Sequence, residues 1–300
     1  MTESERPILA FSESPSRVPS ASIDANNERE YNLRLRHPER SAVYERFADA
    51  SAGLRGKEAS FVELRYGPSP NSVIDFFPAH ASGSAPLFVF IHGGYWRALN
   101  RRIFSFLARP WLDRGVHVAL PGYELAPAVR VRDIADQVRG AMQWLVRNAV
   151  NLRIDPGRIV VSGHSAGAQL GALALADTTD WLAAAFVGIS GVYELEPVLS
   201  TTINLDVRLD AVEAHELSPR WRHADAKPRY LCAVGGAETN GFLRQSRDYD
   251  LALRSQGCDA VLLEVPGRTH FDILDDMADG DALLFRSAYS LLSPRTERTP

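Results

Sequence analysis

Mostly apolar runs recur along this chain at residues 87–91, 116–120, 158–162, 184–189, 230–234 and 260–265. Such runs lack the polar alternation of a half-exposed strand, so each predicts a strand buried on both faces. Between them, residues 103–114, 131–149, 166–176 and 241–256 read as helices. In the second of these, Ile134, Val138, Met142 and Val146 fall on one helical face. Strands that need cover on both sides, joined by helices able to supply it, predict an α/β fold with a mostly parallel sheet between helical layers. Two earlier strands, 61–66 and 73–77, flank the turn Gly67-Pro68-Ser69-Pro70-Asn71; a helix over 38–54 precedes them and another over 273–292 closes the chain. With 300 residues and 45% hydrophobic content, one large domain over 29–300 can bury a sizeable core. Residues 1–28, rich in Ser, Pro, Glu and Asn, are expected to form a flexible arm. The stretch 192–228 breaks the strand–helix rhythm and is expected to be a substrate-covering insertion above the sheet.

The run Ile159-Val160-Val161 leads directly into Gly163-His164-Ser165-Ala166-Gly167. A serine between two such glycines, after a buried strand and before a small-residue helix, fits a sharp strand-to-helix turn. That turn lifts the hydroxyl clear of the sheet, while side chains at the glycine positions would collide with the neighbouring strand and helix. Ser165 is therefore a candidate nucleophile.

A serine nucleophile needs a base, an acid that orients the base, and donors for the oxyanion. In this architecture the three side chains follow the order Ser, acid, His. Of the eight histidines, only His215, His223 and His270 follow Ser165, and only His270 follows the last strand, in Pro266-Gly267-Arg268-Thr269-His270-Phe271. The loop after the preceding strand, Gly235-Gly236-Ala237-Glu238-Thr239-Asn240, holds one carboxylate, Glu238; Asp248, on the following helix, is its rival. After the strand at 87–91 comes His92-Gly93-Gly94-Tyr95-Trp96. A glycine pair there lets the backbone N–H groups of Gly93, Gly94 and Tyr95 converge with that of Ala166 on the space above Ser165. His92 is expected to support the loop by hydrogen bonding, and Tyr123 to be structural. Tyr95, Trp96 and Phe271 are candidate substrate contacts. For Tyr95 and Trp96, stacking on an aryl group and plain packing under the loop both remain open.

The net charge of −4 carries no basic footprint for nucleic acid or an anionic membrane surface. Two cysteines, Cys232 and Cys258, make neither a disulfide framework nor a zinc pattern, and no metal site is expected. The start of the chain lacks a positive region followed by an apolar one, and no apolar run approaches a membrane span, so a cytoplasmic location is expected. No Gly-x-Gly-x-x-Gly follows the early strands, which disfavours a dinucleotide-binding oxidoreductase. A non-catalytic binding module on the same fold would be expected to have lost one of the catalytic roles, whereas here each role has a candidate in order.

This set of residues resembles the α/β-hydrolase superfamily, in its branch with esterase-like His-Gly-Gly motifs. His92-Gly93-Gly94-Tyr95-Trp96 is similar to the His-Gly-Gly-x-Trp of the arylformamidase (kynurenine formamidase) group; Gly163-His164-Ser165-Ala166-Gly167 and Phe242-Leu243-Arg244-Gln245-Ser246 match as well. The resemblance covers about residues 30–292. It implies Ser165 as nucleophile, Glu238 as acid and His270 as base. It also implies hydrolysis of N-formyl-L-kynurenine to L-kynurenine and formate without a cofactor; a short-chain carboxylesterase acting on another ester is the alternative. The group usually carries Asp where this chain has Glu238, and the Ser/Pro-rich arm departs from its compact core. A small-molecule aryl formamide or ester is the expected partner, and the oligomeric state is left open, with a homodimer as one option.

Overall fold

Eight strands form one sheet in the order β1-β2-β4-β3-β5-β6-β7-β8 in a computed structural model that describes residues 23–34, 36–57, 61–176, 183–223 and 228–293. The strands are β1 (Val62–Arg65), β2 (Val73–Phe77), β3 (Ala85–Ile91), β4 (His117–Pro121), β5 (Ile154–His164), β6 (Ala185–Ile189), β7 (Arg229–Gly235) and β8 (Ala260–Val265). The pairings β1–β2 and β2–β4 are antiparallel and all the others parallel. Strands β2, β4 and β6 are buried at every position, as strands covered on both faces must be. β8, at the sheet edge, is buried only at its two ends.

The α-helices are α1 (Ala25–Tyr31), α2 (Arg40–Lys57), α3 (Arg109–Leu112), α4 (Val131–Arg147), α5 (Ala166–Ala176), α6 (Asn204–Val207), α7 (Ala211–Glu216), α8 (Asn240–Ser255), α9 (Ile273–Ala278) and α10 (Leu283–Ser290). Helix α5 is buried along nearly its whole length, which its run of Ala, Gly and Leu allows. Among the described residues no helix is long and apolar enough to cross a membrane.

Three expectations from the sequence need correction. The helix expected over 103–114 is a 3-10 helix, Arg101–Ala108, followed by the short α3. Pro110 explains the break, because it has no N–H with which to continue the ladder. The helix expected over 273–292 is two helices, α9 and α10. Asp279-Gly280-Asp281 separates them, and Asp279 turns back to accept from the Asp281 N–H at 2.9 Å.

The third correction concerns the arm. Residues 1–22 lie outside the described residues, but residues 25–28 belong to α1, which is capped by Asp24 and docked on the body. Glu28 accepts from the Thr202 N–H at 2.8 Å and from its hydroxyl at 2.6 Å, and the Asp24 N–H donates to the Ser200 carbonyl at 2.9 Å. At the other end of α1, Thr239 donates its hydroxyl to the Glu30 carbonyl, and the Gly241 N–H donates to the Glu30 carboxylate, both at 2.8 Å. Helix α1 therefore ties the 192–223 segment to the loop that carries Glu238.

Candidate active site

The site sits at the carboxyl ends of the central strands, where β5 turns into α5. Ser165 occupies the left-handed region at φ +57°, and its N–H donates to the Ile189 carbonyl of β6 at 2.9 Å. A non-glycine residue holds that conformation only where its surroundings over-determine it. Here the surroundings are backbone. A methyl group on Gly163 would lie 2.2 Å from the Gly167 carbonyl oxygen, and one on Gly167 would lie 2.1 Å from the Ile91 carbonyl oxygen. Glycine at both positions lets the start of α5 close onto the end of β3.

The same closeness brings in the loop after β3. A Cβ on Gly93 would lie 2.7 Å from the His164 carbonyl oxygen and 3.0 Å from the Ser165 Cβ, so the loop's backbone lies against the serine. Gly94 has φ +112°, Tyr95 +49° and Trp96 +57°, a run of conformations that only firm support maintains. His92 Nδ1–H donates to the Gly93 carbonyl at 2.8 Å, and the Tyr123 hydroxyl donates to the His92 carbonyl at 2.6 Å, with the two rings stacked 4.2 Å apart. Further along, the Ala126 N–H donates to the Trp96 carbonyl at 2.8 Å. His92 and Tyr123 thus hold the loop, in the supporting roles expected of them. Ala166 is fully buried at the first position of α5, where a helix leaves its N–H groups without intrahelical partners.

His270 and Glu238 meet across the loops after β8 and β7. His270 Nδ1 lies 2.7 Å from Glu238 Oε2. The second carboxylate oxygen, Oε1, accepts from the Gly235 N–H at 2.8 Å and from the Ser190 hydroxyl at 2.5 Å. With both oxygens engaged, the buried carboxylate has its hydrogen-bonding capacity met, and its contact with Nδ1 leaves Nε2 as the ring nitrogen not bound to it. The rival acid, Asp248, pairs instead with Arg220 at 3.0 Å. Phe242 packs its ring 4.3 Å from the His270 ring. His164 Nε2–H donates to the His270 carbonyl at 2.8 Å, so the residue before Ser165 also anchors the loop that carries His270.

Ser165, His164 and His270 border one open cavity. Tyr95 and Phe271 line it, and the Tyr95 hydroxyl donates to the Tyr31 carbonyl at 2.8 Å. Trp96 does not line it. That ring is fully buried and donates its Nε1–H to Gln169 at 2.9 Å, so its role is packing under the loop. Among the described residues of the 192–228 segment none lines the cavity. The walls the sequence reading missed come from residues 32–44: Asn32, Leu33, Arg34, Arg40 and Tyr44. Ser190 was missed as well; its one visible signal is a small polar residue before Gly191, directly after a buried strand.

Burial lowers the pKa of His92 to about 4, with a small further push from Arg101. Burial, and then the neighbouring His270, lower that of His164 well below the usual imidazole range. Both rings are neutral in the fold and accept protons more readily once unfolded, so stability is lost as pH falls from about 6.5 towards 4. For His92 alone this amounts to about 3 kcal/mol. The urea midpoint is expected to fall between pH 7 and pH 4.5, and the fall to shrink in His92→Asn; an unchanged fall in that variant would refute the assignment.

Comparison with known proteins agrees with this geometry. Residues 74–186 match the BD-FAE family model. The chain is 31% identical to the kynurenine formamidase of Salmo salar over 242 residues, which is 76% of this chain and 80% of that protein. It is 27% identical to the kynurenine formamidase of Drosophila melanogaster over 233 residues, 73% of this chain and 77% of that protein. Among solved structures, the carboxylesterase EstE1 from a metagenomic library superposes with a TM-score of 0.72 at 19% identity, covering 86% of this chain and 98% of that one. The chain has the α/β-hydrolase fold and belongs to the kynurenine formamidase family.

Proposed function

We propose that this protein is an arylformamidase that hydrolyses N-formyl-L-kynurenine to L-kynurenine and formate, with Ser165 as nucleophile, His270 as base and Glu238 as its orienting acid. The observation that carries this reading is an imidazole fixed to a buried carboxylate at 2.7 Å and bordering the same cavity as a serine held at φ +57°. Ser165 Oγ attacks the formyl carbon while His270 Nε2 takes the hydroxyl proton, and Glu238 stabilises the imidazolium. The backbone N–H groups of the loop at Gly93, Gly94 and Tyr95, together with that of Ala166, receive the oxyanion. Collapse of the tetrahedral intermediate breaks the C–N bond, and His270 returns its proton to the departing aryl amine. Water, deprotonated by His270, then attacks the formyl ester of Ser165 and releases formate. The aromatic rings of Tyr44, Tyr95 and Phe271 along the cavity suit an aryl leaving group.

A substrate comparison tests the reading. The kcat/KM for N-formyl-L-kynurenine is expected to exceed that for p-nitrophenyl acetate by at least about tenfold, a difference of about 1.4 kcal/mol in transition-state binding. Turnover of the ester without turnover of the formamide would identify a short-chain carboxylesterase instead.

A further inference from the structure

A glutamate is harder to hold in one orientation than an aspartate, because its carboxylate stands one rotatable bond further from the backbone. Ser190, directly after β6, supplies part of that hold. It is fully buried and sits in the left-handed region at φ +51°. Several contacts meet there. The Ile189 carbonyl just before it accepts the Ser165 N–H at 2.9 Å, and the Ser190 N–H donates to the Ala233 carbonyl of β7 at 2.7 Å. The Ser190 hydroxyl donates to Glu238 Oε1 at 2.5 Å, and the Gly235 N–H reaches the same oxygen at 2.8 Å. Oε2 is thereby left for His270 Nδ1, at 2.7 Å. A glycine would adopt φ +51° without strain and make the same backbone contacts. What serine adds at this position is the hydroxyl. Ser190 does not line the cavity, so that hydroxyl acts on the chemistry only through the carboxylate it binds.

We propose that Ser190 is a positioning residue for the reaction: its hydroxyl fixes the Glu238 carboxylate so that Oε2 stays on His270 while the imidazole gains and returns its proton. The proposal rests on the reading of Ser165, His270 and Glu238 as nucleophile, base and acid. Ser190 joins these parts from one point, since the peptide before it holds the Ser165 backbone and its side chain holds the acid. Because the hydroxyl touches no part of the cavity, its loss is expected in kcat and not in KM.

The test is a double-mutant cycle. Ser190→Gly and Ser190→Ala are each made alone and together with Glu238→Ala. The readouts are formate release from N-formyl-L-kynurenine and the rate at which a fluorophosphonate labels Ser165. With Glu238 present, each Ser190 variant is expected to lower kcat and the labelling rate about tenfold, as the loss of one buried hydrogen bond to a carboxylate would. KM should stay within about twofold, and the urea midpoint close to that of the wild type. In the Glu238→Ala background the same substitutions are expected to change either rate by less than about twofold, because their route to His270 is already gone. Equal losses in the two backgrounds would overturn the proposal, since a residue that only shapes the backbone at Ile189 and Ala233 acts whether or not Glu238 is present. So would a wild-type kcat in Ser190→Gly, or activity losses that follow a fallen urea midpoint in both Ser190 variants. Absence of labelling in the wild type, or wild-type rates in Glu238→Ala alone, would instead defeat the catalytic reading beneath the proposal.

Discussion

Ser165→Ala is expected to lower kcat on any substrate of this protein by about 10³-fold or more, a loss of about 4 kcal/mol in transition-state stabilisation. The substitution removes the attacking oxygen and leaves the Cβ that already occupies φ +57°, so the backbone meets no new steric demand. The urea midpoint should therefore stay close to that of the wild type. Residual turnover is expected from the oxyanion donors and from binding alone, which act without the serine. The fluorophosphonate adduct formed by the wild type should be missing from the variant. Full activity in a homogeneous Ser165→Ala preparation would remove the nucleophile assignment, and the roles of His270 and Glu238 with it.

Gly163→Ala should damage both folding and catalysis, for a reason that lies entirely in the backbone. The added methyl would stand 2.2 Å from the Gly167 carbonyl oxygen, 2.4 Å from its carbonyl carbon and 2.6 Å from the Ala168 nitrogen. No rotamer change can relieve contacts with main-chain atoms, so the first turn of α5 must move away from β5, and Ser165 lies between them. A loss of about 3 kcal/mol or more in unfolding free energy is expected. A loss of about 10² in kcat is expected from displacing the nucleophile relative to His270 and the oxyanion donors. Gly171→Ala, on the same helix, is the control. Its new methyl would meet only side-chain atoms, of Ile91 and Phe186 at 3.2 Å and of Val161 at 3.5 Å. Those can yield, and alanine favours the helix by about 1 kcal/mol, so near-neutral stability is expected. Similar urea midpoints and kcat values for the two variants would show that crowding at Gly163 is not what shapes the turn.

Much of the architecture can be read from residue order because a parallel sheet imposes a one-to-one relation between chain and space. Strands buried on both faces must be apolar throughout, so β3 to β7 show in the sequence. The loops at their carboxyl ends succeed one another in chain order, so His92-Gly93-Gly94, Ser165 and His270 can be placed in sequence, and Glu238 singled out against its rival Asp248. The breaks in the helices were harder to read, because Pro110 and Asp279-Gly280-Asp281 act on hydrogen bonds within stretches whose apolar spacing still fits a helix.

The sequence by itself determined the strand series, the glycine-flanked turn at Ser165 and the histidine that can serve it, since each follows from local composition or from the order of the loops. Tertiary structure alone decided which carboxylate lies against His270, which aromatic side chains reach the cavity and which segment walls it. Those outcomes depend on contacts between distant parts of the chain. Ser190 reaches Glu238 across 48 residues, Trp96 reaches Gln169 across 73, and α1 holds the 192–223 segment through Thr202 across 174. Local pattern specifies that a side chain is apolar or able to donate, but not what stands opposite it once the loops converge.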